Sequence, residues 1–335
     1  MRLCAAFITN SPGLIERIYP ENVREKLDER LELLPGVLTE EALAARAEET
    51  RNVRVLLSTW GMPALTRERI AESFPNLQYL FYGAGSVQGF ARPFLESGVR
   101  VFSAWAANAV PVAEYTVSQI VLSGKGCFQA MRRYRDHGRA DANRFVASQP
   151  CNYCIRVGLL GAGMIGRMVA ERLRAYEYEV LVYDPFVADE TLAALGARRA
   201  TLEEIFSTCQ IISNHVANLP ATVGMIDERL LLSMLPNATF INTGRGAQVD
   251  EAALTRAMEA CPDRTALLDV TWPEPPEADS ELLRLPNVFL TPHIAGSMGR
   301  EVERMGAYMA EECASVLSGE AARYEVTPAM LETMA

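Results

Sequence analysis

Apolar positions along this chain follow two rhythms. Runs such as RLCAAFIT (2–9), NVRVLLST (52–59), LQYLFYG (77–83) and VRVFS (99–103) are short and rich in aliphatic and aromatic residues. They read as strands of a buried sheet. Between them, ENVREKLDERLELL (21–34), TEEALAARAEET (39–50) and TRERIAESF (66–74) repeat apolar residues every three or four positions, which predicts helices. Alternation of the two kinds builds a parallel sheet with helices on its faces. A longer helical pattern covers about 110–134 and is followed by RDHGRADANRFVASQPCNY (135–153), whose polar composition predicts a connecting arm. The βα rhythm then resumes to about residue 290, and a last helix is expected from roughly Met298 to Leu317. The 335 residues exceed what one core usually serves, so two domains are expected.

Composition narrows the picture. Apolar residues make up 49% and charged residues 22%, as in ordinary soluble globular proteins. A net charge of −10 argues against a nucleic-acid or anionic-membrane partner. No run of 18 apolar residues predicts a membrane span, and the opening MRLCAAFITNSP reads as a first strand rather than a secretory leader. Seven scattered cysteines suit a reducing, cytoplasmic compartment. The pair Cys151 and Cys154 lacks a second ligand pair nearby, so no metal site is expected.

The segment IRVGLLGAGMIGRMVAERLRAYEYEVLVYDPF (155–186) runs strand, glycine loop, helix, strand, acid. Gly161 permits a tight turn, Gly163 lets the backbone approach a pyrophosphate, and Gly166 lets helix and strand pack closely. Met164 and Ile165 open the helix, whose N-terminus faces the phosphates. Asp184 closes the second strand and can accept hydrogen bonds from ribose hydroxyls. A carboxylate there repels a 2′-phosphate, and Pro185-Phe186-Val187 offers no arginine to receive one, so NAD is favoured over NADP.

Three more stretches end strands with chemistry-bearing residues. ATFINTGRGAQVDEAAL (238–254) places Arg245 between two glycines, after Thr243. ALLDVTWPEPP (266–276) ends a strand at Asp269 and carries Glu274 between prolines. LTPHIAG (290–296) places His293 after Pro292, which ends the apolar run Val288-Phe289-Leu290. Of the other histidines, His215 in NHVANLP follows a strand and is expected at the edge of the cofactor site, and His137 lies in the arm.

With the glycine loop, these stretches resemble the D-isomer-specific 2-hydroxyacid dehydrogenase family over nearly the whole chain, including GAGSVQGF (83–90) and NAVPVAEYT (108–116). The resemblance implies an α/β fold of two doubly wound parallel-sheet domains. A Rossmann NAD-binding domain (105–296) is inserted in a discontinuous, flavodoxin-like substrate domain (1–104 and 297–335). It implies an oxidoreductase acting on the CH-OH group of a small 2-hydroxy acid, or reducing the 2-keto acid. His293 matches the general acid/base, Glu274 the carboxylate paired with it, and Arg245 the fork that holds the substrate carboxylate. Asp269 matches an acid near the nicotinamide carboxamide. Thr243, His215 and Gly296 join the cofactor set. The backbone at Ala84 and Gly85 matches the loop that receives the substrate carboxylate, and members are usually homodimers.

Two departures bear on substrate choice. Val87 stands where many relatives carry Asp, which leaves the shape of that loop open. Trp60, after another strand, suits a small or partly apolar keto acid and brings no charge for a phosphate. Glu274 separates the chain from formate dehydrogenase, a relative with glutamine there. The C-terminal-binding-protein corepressors share the fold and these residues, so a non-catalytic NAD(H)-sensing protein is the alternative.

Overall fold

This computed structural model describes residues 2–332. The strands of the first part are β1 (Leu3–Ile8), β2 (Leu31–Leu38), β3 (Val55–Ser58), β4 (Tyr79–Tyr82) and β5 (Arg100–Ser103). All four residues of β3 are buried, as are the last three of β4 and of β5. Strands enclosed on both faces are therefore what the unbroken apolar runs encode. The five pair in parallel in the order β5-β4-β3-β1-β2, the flavodoxin-like sequence 2-1-3-4-5. A two-residue strand near the chain's end, Glu325–Val326, adds antiparallel to β5. Helix Val302–Leu317 also returns to this unit and buries Met305, Met309 and Cys313 in its core. The unit comprises the chain up to Asn108 and again from Ser297. Its points of exit and return are tied together, because the Ser297 N–H donates to Asn108 Oδ1 at 2.9 Å.

The second unit is Ala109–Gly296. Its strands are β6 (Arg156–Leu160), β7 (Glu179–Tyr183), β8 (Ala197–Arg199), β9 (Ile211–Asn214), β10 (Thr239–Asn242), β11 (Thr265–Leu268) and β12 (Val288–Leu290). They form one parallel sheet, β12-β11-β10-β9-β6-β7-β8. Separate apolar clusters, one around Phe206, Phe240 and Leu254 and the other around Ile120, Val169 and Leu173, make up its core. The strand order reverses between β6 and β9, where open sheets of this kind bind ligands at the strands' carboxyl ends. Among the described residues no helix is long and apolar enough to cross a membrane.

Several boundaries differ from the sequence reading. The helix expected over 21–34 stops at Asp28, and Leu31–Leu38 is the edge strand β2. Val23, Leu27, Leu31 and Leu34 keep helical spacing across that junction, which hides it. Only Ala47–Thr50 of 39–50 is helical, the rest being turns. The long helix Trp105–Gly124 ends before Gly126, whose φ of +63° breaks the pattern, and a new helix runs Cys127–His137. The polar arm is itself helical over Arg139–Ala147. It packs back through Ala142 and Phe145, with the Arg133 guanidinium 4.8 Å above the Phe145 ring and 3.1 Å from Asp141. Polar residues on its outer face masked that narrow apolar stripe. The last helix starts at Val302, after a single 3₁₀ turn at Gly299–Glu301.

Candidate active site

Strand β6 ends at Leu160 and the chain turns at once. Gly161 has a φ of +92°, and a Cβ there would lie 2.8 Å from the His215 carbonyl oxygen. A Cβ on Gly166 would lie 2.1 Å from the carbonyl oxygen of Gly161. Both neighbours are backbone and cannot swing away. A Cβ on Gly163 would meet nothing within 4 Å. The outer glycines thus close the turn, and the middle one leaves open space at the N-terminus of helix Met164–Leu173. Exposed Met164 and half-buried Ile165 form that helix's first turn. Open space at the positive end of a helix fits a pyrophosphate.

Asp184, after β7, ties this turn to the next loop. Its Oδ2 accepts from the Ala162 N–H at 2.7 Å, and its Oδ1 accepts from the N–H groups of Phe186 (2.9 Å) and Val187 (3.1 Å). The fold also brings Arg199 here, which no local reading of 185–187 would find. Its guanidinium is engaged by the carbonyls of Asp184 and Val187 and pairs with Asp189 at 2.5 Å. His215, after β9, sits against the glycine turn through its carbonyl. Its Nε2 is 3.0 Å from Ser213 Oγ, while Nδ1 is buried without a partner. Burial pulls this imidazole down to about 4, so it is neutral near pH 7.

The other candidates gather at the ends of β10, β11 and β12. Thr243 is buried, its hydroxyl 3.3 Å from that of Thr116. The Arg245 side chain donates to the Gly244 carbonyl at 2.9 Å. Burial lowers the basicity of its guanidinium and the Glu274 carboxylate opposes that shift. A Cβ on Gly246 would lie 2.0 Å from the Thr271 carbonyl oxygen, so the arginine turn packs directly on the segment leading to Glu274.

Asp269 organises the last turn. Its Oδ1 accepts from the Thr291 hydroxyl at 2.6 Å and from the Ile294 N–H at 2.8 Å, and its Oδ2 accepts from the Ala295 N–H at 2.9 Å. The His293 N–H donates to the Asp269 carbonyl at 3.1 Å. Tyr115 reaches the Thr291 hydroxyl at 2.9 Å. Within this frame His293 adopts a φ of +53°, a region non-glycine residues enter rarely and mostly where surroundings hold them. Its Nδ1 lies 2.6 Å from Glu274 Oε1, and the two side chains are 47% and 37% exposed. One ring nitrogen is thus occupied by the carboxylate, which leaves Nε2 to meet a reacting group. Gly296 is the last residue of this unit.

The sequence reading did not single out Thr291 and Tyr115. It also missed Asn214, Asn242 and Gln248, whose amides line the arginine turn. The only available signal was that IISN and FINT each place a polar residue at a strand end.

The remaining candidates belong to the first unit. Ala84 is fully buried, and the Ser103 hydroxyl donates to the carbonyls of Ala84 (2.9 Å) and Gly85 (2.5 Å). Val87 is fully buried in this unit's core, and its carbonyl starts the turn into helix Ala91–Glu96 by accepting from Phe90 and Ala91. An aliphatic residue at 87 therefore anchors the loop by packing. Trp60, after β3, is 38% exposed, and its carbonyl accepts from the Thr9 hydroxyl at 2.7 Å.

Comparison with known proteins gives this geometry a family. Residues 119–295 match the profile described as D-isomer specific 2-hydroxyacid dehydrogenase, NAD binding domain. The D-3-phosphoglycerate dehydrogenase of Archaeoglobus fulgidus is 31% identical over 224 residues, which are 67% of this chain and 42% of that protein. The enzyme of the same name from Mycobacterium tuberculosis is 30% identical over 292 residues, 87% of this chain and 52% of that one. The chain thus spans about half the length of these relatives. In fold, it matches the apo D-mandelate dehydrogenase of Rhodotorula graminis with a TM-score of 0.81 at 21% identity, over 98% of each chain. From the matched NAD-binding segment, which covers more than half of its residues, this chain belongs to the D-isomer specific 2-hydroxyacid dehydrogenase family.

Proposed function

We propose that the chain is an NAD-dependent D-2-hydroxyacid dehydrogenase that reduces a small 2-keto acid and oxidises the matching 2-hydroxy acid. The observation that carries this is the His293–Glu274 pair, 2.6 Å apart, with His293 following its strand at the same carboxyl end of the parallel sheet as the glycine turn. Bound NADH supplies the hydride. Gly161, Gly163, Gly166, Asp184 and the first turn of helix Met164–Leu173 hold the dinucleotide, with NADH preferred over NADPH. His293 gives a proton to the oxygen that becomes a hydroxyl and takes it back in the reverse direction. Glu274 fixes the ring so that Nε2 faces that oxygen. Arg245 binds the substrate carboxylate through its planar fork and draws charge from the adjacent carbonyl. Ala84, Gly85 and Trp60 of the first unit are assigned to substrate contact.

The reading includes a homodimer in the cytoplasm. Exposed Met131 and Tyr134 on helix Cys127–His137, which leads into the arm, are apolar surface of the kind that pairing covers. The decisive experiment follows NADH consumption with glyoxylate, pyruvate, hydroxypyruvate and bulkier 2-keto acids, alongside NAD with D-3-phosphoglycerate and with formate. Turnover of at least one 2-keto acid is expected. Tight NADH binding with no turnover of any would leave a non-catalytic NAD(H)-binding protein instead.

A further inference from the structure

Three amide side chains lie under the arginine turn, and all are closed to solvent: Asn214 at 0% exposure, Asn242 at 1% and Gln248 at 0%. Asn214 Nδ2 donates to Asn242 Oδ1 at 3.0 Å and to Gln248 Oε1 at 2.6 Å. Asn242 Oδ1 also accepts from the Gly244 N–H at 3.0 Å, and Gln248 Oε1 from the Arg245 N–H at 3.1 Å. Asn242 Nδ2 donates to the Arg245 carbonyl at 3.2 Å. Both backbone groups of Arg245 are thus gripped by buried amides.

The same network reaches a second loop. Gln248 Nε2 donates to the Val216 carbonyl at 2.6 Å, and the Val216 N–H donates to Asn214 Oδ1 at 3.2 Å. The amide orientations are forced. Each N–H of the turn requires an oxygen opposite, and each carbonyl requires an NH₂. The space is also closed, since a Cβ on Gly244 would lie 2.7 Å from Gln248 Oε1 and 2.9 Å from Asn214 Nδ2. Buried amides satisfied this fully specify one arrangement, because any other leaves a polar group unpaired.

We propose that Asn214, Asn242 and Gln248 are positioning residues that hold Arg245 in its substrate-binding place and lock its turn to the loop after His215. The proposal rests on the reading of Arg245 as the carboxylate anchor. The network touches only the backbone of Arg245, so it acts through that residue and not on the substrate.

The test compares Asn242→Asp, Gln248→Leu and Asn214→Leu in the full-length protein. Asn242→Asp keeps the shape and the acceptor for Gly244 but sets an oxygen against the Arg245 carbonyl. Gln248→Leu strips the acceptor from the Arg245 N–H. Asn214→Leu acts one step away from Arg245 and keeps the proposal testable should either direct variant fail to fold. With glyoxylate, pyruvate and hydroxypyruvate as probes, KM should rise about 10- to 100-fold in the direct variants, the span of one to two lost or opposed hydrogen bonds. It should rise less in Asn214→Leu. NADH affinity, read by fluorescence titration, should stay close to that of the unmutated protein.

Arg245→Lys is the control. If it raises KM and a folded Asn242→Asp or Gln248→Leu does not, the positioning role is overturned while the anchor reading stands. If Arg245→Lys leaves KM unchanged, or no keto acid is reduced at all, the anchor reading fails and the proposal with it. A rise in KM accompanied by falling kcat and falling NADH affinity, all in step with lost thermal stability, would show a merely structural network.

Discussion

The glycine turn after β6 and the polar turns after β10 and β12 sit at the same end of one sheet and are built on opposite principles. The glycine turn owes its shape to side chains that are missing. Backbone oxygens of His215 and Gly161 stand where a Cβ at 161 or 166 would be. The turns carrying Arg245 and His293 owe theirs to side chains that are present, namely the amides of Asn214, Asn242 and Gln248 and the carboxylate of Asp269. The difference teaches how each will fail. A glycine turn breaks when an atom is added, and a polar turn loosens when an atom is taken away.

The largest expected effect is on the polar side. His293→Ala should lower the rate of keto-acid reduction about 10²- to 10⁴-fold, the usual worth of a positioned proton donor. NADH affinity should hardly change, because the glycine turn is untouched. Wild-type kcat in this variant would remove the histidine from the chemistry.

Next comes the glycine turn itself. Gly166→Ala places a Cβ 2.1 Å from a backbone oxygen, so unfolding stability should drop by about 1–3 kcal/mol, as overpacking does, and NADH affinity with it. Gly163→Ala adds the same atom to open space and should leave stability within about 0.5 kcal/mol while weakening NADH. Equal stability losses in the two variants would erase the distinction between them.

A third effect depends on pH. His215 titrates near 4 in the folded chain, against about 6.5 when exposed. As pH falls below about 6.5, the unfolded chain takes up a proton that the folded chain refuses until about 4. The histidine therefore lowers stability progressively across that window, and the loss levels off below it. His215→Gln should flatten the stability–pH curve there by on the order of 2 kcal/mol, read from urea midpoints at a series of pH values. Parallel curves for the two proteins would show that the ring is not held neutral.

The smallest effect concerns Asp184. Asp184→Ala should narrow the preference for NADH over NADPH, measured as the ratio of kcat/KM. Because this carboxylate also accepts from Ala162, Phe186 and Val187, some loss of stability should accompany it. An unmutated protein using both cofactors equally would refute the assignment.

What the sequence disclosed follows the same division. A turn made by steric exclusion leaves glycines at fixed spacing, so Gly161, Gly163 and Gly166 could be read directly. His293 stood out as a histidine just behind the proline that ends an apolar run, whereas Glu274 and Arg245 took their roles from the resemblance of their stretches to the family. The amides were invisible, since Asn214, Asn242 and Gln248 look like ordinary polar residues at strand ends until pairing places them side by side. Asp184 and Asp269 were noticed as ligand contacts, yet each also serves as a hub for backbone N–H groups. The edge strand β2 was missed because its leucines continue the spacing of the helix before it. The arm helix Arg139–Ala147 was missed because a narrow buried stripe lies beneath a charged surface.

That edge strand has a consequence for how the chain behaves among many copies of itself. Among the described residues β2 pairs with β1 alone, so its other flank is an open border of the sheet to which a passing strand can add. Pro35 withholds one donor, Gly36 bends the backbone at a φ of +72°, and the pairing with β1 slips between Ala5 and Phe7. These irregularities spoil the strand as a template for aggregation. At the opposite border of the sheet, Glu325–Val326 covers β5 with an antiparallel partner, so the two borders are shielded against fibril growth by different means.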